Sequence, residues 1–204
     1  LSLHDALPIS GGAPALLPVD APKRKAPDAA RIANIARVLR SGEPALIILA
    51  NKATRGAALD KAGQVAVASG ARLGSQFFTA RIERGAGRTP IERIPYAVPQ
   101  AQAFLKGFKH LITVETREPV AFFAYPDKPS LLKAEGTQVH TLVDADEDSE
   151  LAFDLLLQEL NAVRTQVLRQ ERIVTPVPTG ALNPLSIAHA LAAALPENCI
   201  LVRS

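Results

Sequence analysis

Residues 45–50, Ala-Leu-Ile-Ile-Leu-Ala, form a wholly apolar run bounded by turn formers, Ser41-Gly42 on one side and Asn51 on the other. The run is too short for a stable helix, and a strand without a polar face must be covered on both sides. That is the condition of a central strand in a parallel sheet. Helical periodicity surrounds it. Asp28 reads as an N-cap, followed by Ile32, Ile35, Ala36 and Leu39 on one helix face. After the run, Thr54 to Ser69 predicts a second helix with Leu59, Ala62 and Ala66 inward and Gly70 as its stop. The combination predicts an α/β fold: three layers, a mainly parallel sheet with helices on both faces.

The rest of the chain keeps the alternation with interruptions. A weaker strand is expected over Ala71 to Gln76, then a long irregular stretch, Phe77 to Pro99, containing three prolines and Arg81-Ile82-Glu83-Arg84-Gly85-Ala86-Gly87-Arg88. Structureless loops of that length are commonly functional or interfacial. A helix is expected from Gln100 to Gly107 and a strand from His110 to Glu115. Pro119 to Pro129, with Phe122-Phe123-Ala124-Tyr125, reads as an apolar loop, and Val139, Thr141 and Val143 alternate as a strand. Leu156, Leu160, Val163 and Val167 place an amphipathic helix over Ser149 to Arg169. Asn183-Pro184 is a cap with a first-turn proline, opening a helix to Leu195, and a strand is expected over Cys199 to Val202.

Residues 1–10, Leu-Ser-Leu-His-Asp-Ala-Leu-Pro-Ile-Ser, match codon by codon the in-frame reading of a common sequencing adapter, and the chain has no methionine. The expectation is a translated adapter on a piece of a longer polypeptide, with Arg203-Ser204 a weaker sign of the same at the other end. Residues 11–27, rich in Pro and Ala, read as a linker in which Lys23-Arg24-Lys25 is solvated. The central α/β domain is then 28–169, followed by a linker over 170–182 and, at 183–204, the truncated start of another domain.

Composition narrows the function classes. With 48% hydrophobic and 21% charged residues the chain can bury a core. The net charge of +3 is scattered rather than clustered, which speaks against nucleic acid. No apolar run approaches the ~18 residues of a membrane span. A lone cysteine, Cys199, excludes an internal disulfide and suits a reducing, cytoplasmic setting.

No residue can be assigned a catalytic, cofactor-binding or metal-ligating role. The turn after the first strand, Asn51-Lys52-Ala53-Thr54-Arg55-Gly56, has one glycine where the dinucleotide fingerprint needs three, and Gly85-Ala86-Gly87 follows no clear strand. His4 falls in the adapter; His110, His140 and His189 lie near no nucleophile and read as packed or surface residues. The acidic group Asp144, Asp146, Glu147, Asp148 and Glu150 precedes a helix, where negative charge favours the dipole. Arg81, Glu83, Arg84 and Arg88 suit ion pairs to a neighbouring domain or subunit better than a ligand phosphate.

Several segments together resemble a known family: Pro-Ala-Leu-Ile-Ile-Leu (44–49), Ala-Ser-Gly-Ala-Arg-Leu (68–73), Phe-Phe-Thr-Ala-Arg-Ile-Glu-Arg-Gly-Ala-Gly-Arg (77–88), Arg-Ile-Pro-Tyr (93–96), Glu-Pro-Val-Ala-Phe-Phe-Ala-Tyr-Pro (118–126) and Val-His-Thr-Leu (139–142). Residues 28–165 resemble the Rossmann-like central domain of thiamine diphosphate-dependent enzymes, in the acetolactate synthase large subunit and benzoylformate decarboxylase-like branch. Residues 178–191 look like the entry to that family's diphosphate-binding domain. The resemblance implies a parent transferase or lyase that uses thiamine diphosphate and Mg²⁺ on a 2-oxo acid, as a homodimer or homotetramer, with a structural middle domain. The cofactor carries the chemistry and the protein supplies placement. The family's Gly-Asp-Gly motif and activating glutamate have no counterpart here, so no catalytic residue is carried over. The turn Ala50-Asn51-Lys52-Ala53 departs from the glycine-rich turn that holds FAD in acetolactate synthases, which speaks against a flavin. The alternatives are a stand-alone FAD- or NAD-binding module and an oligomerisation domain without catalysis, the latter favoured by Phe122–Tyr125.

Overall fold

The computed structural model describes residues 19–20, 22–124 and 126–202. Residues 1–18, Ala21, Tyr125 and Arg203-Ser204, and with them the expected adapter and part of the expected linker, therefore lie outside the described residues. The apolar run is the centre of a five-stranded sheet. Strand β1 (Ala45–Leu49) pairs in parallel with β2 (Arg72–Ser75) and β4 (His110–Val114). The outer strands are β3 (Glu92–Arg93) and β5 (Gln138–Val143), also parallel, giving the order β3-β2-β1-β4-β5. All five residues of β1 are buried, as are all five of β4.

Alternate residues of the central strands feed two cores. Ala45, Ile47, Leu49, Ile112, Val114 and Leu142 pack under three helices, α1 (Ala29–Arg40), α2 (Gly56–Ser69) and α4 (Ser149–Glu159). Leu46, Ile48 and Leu111 pack on the other face against α3 (Val98–Leu105), Phe108, Ile94 and Leu132. Burying each Leu or Ile of β1 stabilises the sandwich by about 2 kcal/mol relative to exposure. The three-layer α/β fold expected from the sequence is the one observed, with one face more heavily covered than the other.

The local signals act as the sequence suggests. The Asp28 carboxylate accepts from the Ala30 N–H at 2.7 Å, and Ile32, Ile35, Ala36 and Leu39 are buried. Gly70 ends α2 at φ 75°, a left-handed conformation that costs glycine nothing. Gly63 serves a different purpose: a Cβ there would meet Thr89 Cγ2 at 2.8 Å and Val167 Cγ1 at 3.0 Å, so its lack of a side chain lets the later chain lie directly on α2.

Four expectations are corrected. The helix expected over Ser149 to Arg169 stops at Glu159, because Asn161 turns left-handed at φ 55° and the Ala162 N–H bonds back to the Leu157 carbonyl. That is the helix-ending motif with asparagine in glycine's usual place. Val163 and Val167 then lie beyond the helix. The irregular stretch 77–99 contains β3 and the start of α3, with Pro99 in the helix's first turn rather than before it. The run Cys199 to Val202 is exposed and forms no strand, having no neighbouring strand to complete a ladder. Arg24 is not solvated; it and Lys25 are stitched to the loop between β5 and α4, with the Lys25 N–H donating to Asp146 O and the Asp148 N–H to Lys25 O, both at 2.9 Å. The last helix, α5 (Pro184–Ala194), forms where expected, capped by Asn183, with none of its residues buried.

Candidate functional site

In an open parallel sheet the ligand crevice lies beyond the C-terminal ends of the two strands where the winding reverses. Here those strands are β1 and β4, and the crevice is formed by the turn after β1, Glu115 after β4 and the N-terminus of α4. The chain leaves β1 through a tight 3-10 turn at Asn51–Thr54, with Asn51 at φ 47°. Asn51 Nδ2 donates to the Glu115 carbonyl at 3.0 Å, pinning the turn to the end of β4.

The Glu115 side chain fills the space between them and is fully buried. One carboxylate oxygen accepts from the Lys52 backbone N–H at 3.0 Å. The other accepts from Ser149 Oγ at 2.6 Å and from Arg24 Nη1 at 2.8 Å. Arg24 Nη1 also donates to the Glu147 carbonyl at 2.9 Å. Glu115 itself stands at φ 56°, a conformation costing a non-glycine residue about 1 kcal/mol, which these hydrogen bonds offset. Beside the carboxylate lies a cleft of about 260 Å³ lined by Arg24, Lys52, Arg55 and the first turns of α2 and α4.

The other helix termini near this crevice are also closed from within. Asp148 caps α4, accepting from the Glu150 and Leu151 N–H groups. Glu83 closes the start of α2: its carboxylate accepts from the Gly56 N–H at 3.0 Å and its own N–H donates to Thr54 O at 3.1 Å. The stretch 81–88 is thereby folded onto its own domain, with Arg88 3.9 Å from Glu83 and the Gly87 N–H donating to Gln170 O at 2.8 Å. Arg81 and Arg84 remain exposed. The acidic group before α4 is distributed among cations: Asp144 and Glu147 pair with Arg31, Asp146 with Lys25, and Glu150 with Lys61.

Two histidines that sequence reading kept apart meet at the opposite end of the sheet. His110 Nδ1 lies 3.1 Å from His140 Nε2, and His110 Nε2 lies 3.0 Å from a Glu43 carboxylate oxygen. Partial burial, the nearby His110 and the charge of Arg37 together hold the His140 imidazole below its usual pKa. His110 opens β4 and His140 is the third residue of its parallel neighbour β5, thirty residues on, so only the strand pairing could have brought them together. His189 is exposed on α5 and Cys199 is exposed with a free thiol.

These arrangements test two implied cofactors. FAD needs close backbone approach and free N–H groups at the first turn. Here the Lys52 N–H is taken by a buried carboxylate, so the residues present do not fit a dinucleotide diphosphate. For thiamine diphosphate and Mg²⁺, the sequence has no Gly-Asp-Gly, and among the described residues no group of three His, Cys, Asp or Glu could hold a metal ion. No helix among the described residues is long and apolar enough to cross a membrane.

No protein-family profile matches the chain. It is 38% identical over 193 residues to a Mycobacterium tuberculosis (strain ATCC 25618 / H37Rv) protein assigned as an acetolactate synthase large subunit, IlvX, covering 95% of this chain and 37% of that one. The chain is similar to one part of the acetolactate synthase-like, thiamine diphosphate-dependent proteins. Solved structures agree on the fold. A Mycobacterium smegmatis protein assigned as a thiamin diphosphate-dependent enzyme superposes with a TM-score of 0.61 at 18% identity, covering 92% of this chain and 39% of that one. Benzoylformate decarboxylase from Polynucleobacter necessarius gives 0.58 at 17%, covering 91% and 38%. The chain thus spans about two fifths of the length of the proteins it matches. The resemblance read from the sequence holds.

Proposed function

We propose that the chain is the middle, structural domain of a thiamine diphosphate-dependent 2-oxo-acid enzyme. It spaces the two domains that hold thiamine diphosphate and Mg²⁺ and takes no part in bond making itself. The observation that carries this reading is the 38% identity over 95% of the chain to an acetolactate synthase-like protein. The self-closed crevice supports a flavin-free member, because its donors already serve Glu115. In this reading the parent decarboxylates a 2-oxo acid and passes the acyl unit onward, as a homodimer or homotetramer.

A specific observation favours an added interface role. Phe78, Phe122 and Phe123 are more than half exposed, with Phe78 and Phe122 ring centroids 4.7 Å apart, around a groove of about 290 Å³ on the thinner face. The test of the main reading is expression of the complete reading frame. The full protein is expected to bind thiamine diphosphate with Mg²⁺ and to release CO₂ from a 2-oxo acid, while the 204-residue chain does neither. A full protein that fails to bind the cofactor ends the proposal.

A further inference from the structure

Glu115 stands just past β4, where a doubly wound sheet receives the anionic part of a nucleotide. Its φ of 56° suits glycine or asparagine, so a glutamate is kept there against backbone preference by what its side chain does. That side chain collects donors from three remote segments: the Lys52 N–H of the first strand–helix turn, the Ser149 hydroxyl at the start of α4 and the Arg24 guanidinium. A backbone N–H at this turn, a hydroxyl at a helix N-terminus and a guanidinium are the donor types that bind a phosphate. All three are spent on one internal carboxylate.

We propose that Glu115 is an internal anion standing where a ligand phosphate would bind, and that it closes this crevice to nucleotides. With the carboxylate removed, the same three donors form a site for a diphosphate. The adjoining cleft of about 260 Å³ has Lys52 and Arg55 on its wall beside Asp148 and Glu150, whose carboxylates already serve the α4 cap and Lys61, and it has room for the second phosphate. This inference stands independently of the thiamine reading, since it concerns only side chains present here.

The test compares the unmodified chain with Glu115→Gly and Glu115→Asn, both of which relieve the left-handed backbone while removing the carboxylate. Each is titrated with inorganic pyrophosphate by calorimetry, against sodium chloride at matched ionic strength, and the unmodified chain also with ADP. Glu115→Gly is expected to bind pyrophosphate at least about tenfold more tightly than the unmodified chain, a difference of about 1.4 kcal/mol. Adding Arg24→Ala to Glu115→Gly should reverse most of that gain. Equal pyrophosphate affinity in the unmodified chain and Glu115→Gly, or micromolar ADP binding by the unmodified chain, overturns the proposal. Loss of the circular-dichroism signature of the fold in both variants overturns it as well, because the donors must keep their places without the carboxylate.

Discussion

β4 carries a buried polar residue at its entry, His110, and another just past its exit, Glu115, and the two are satisfied in different ways. At the entry, the His110 ring bridges Glu43 and His140. Every partner there belongs to adjacent strands or the lead into β1. At the exit, one carboxylate meets a guanidinium 91 residues away, a backbone N–H 63 away and a hydroxyl 34 away. The entry is a local seam. The exit is where remote segments converge, which is why ligand sites of such sheets lie at that end.

Breaking the exit is expected to cost most. Glu115→Gln keeps the shape but removes the charge paired with Arg24 and, with its oxygen turned to Arg24 and Ser149, sets its N–H₂ against the Lys52 N–H. A loss of about 3 kcal/mol is expected, read as a lowered urea midpoint at unchanged slope. Ser149→Ala removes one donor to the same carboxylate and should cost about 1.5 kcal/mol by the same measurement.

The entry is expected to respond to pH. Because the folded chain disfavours protonated His140, the unfolded chain takes up more protons as pH falls below 6.5. Stability is therefore flat above that pH and declines as pH falls toward the lowered value. Burial sets this first, then the facing His110 and Arg37; Glu43 reaches only His110. His140→Gln should abolish this dependence while leaving stability at higher pH little changed, as urea midpoints on either side of pH 6.5 would reveal. The smallest effect is expected from Lys25→Ala: its pair with Asp146 is exposed on both sides, so the urea midpoint should not move measurably.

Much of the sheet was legible because its signals are local. The Ala45–Leu49 run, the Asp28 cap, the Gly70 stop and the Asn183-Pro184 start each act within a few residues, and each forms as read. The end of α4 was also signalled locally, by Asn161, but the apolar stripe through Val163 and Val167 outweighed one asparagine. β3 was hidden by its length, since two residues show no period. Neither polar cluster on β4 was legible. His110 meets His140 through strand register, and Glu115 looked like an ordinary strand-end glutamate until Arg24 and Ser149 were brought to it. Its left-handed φ has no sequence signature, because glutamate is not a residue that announces one.

The central claim, that this sheet owns no reactive centre and holds its crevice shut, is tested most directly by calorimetric titration of the unmodified 204-residue chain with thiamine diphosphate plus Mg²⁺ and, separately, with FAD. No saturable uptake of either is the expected result. Stoichiometric binding of either at micromolar concentration contradicts the account.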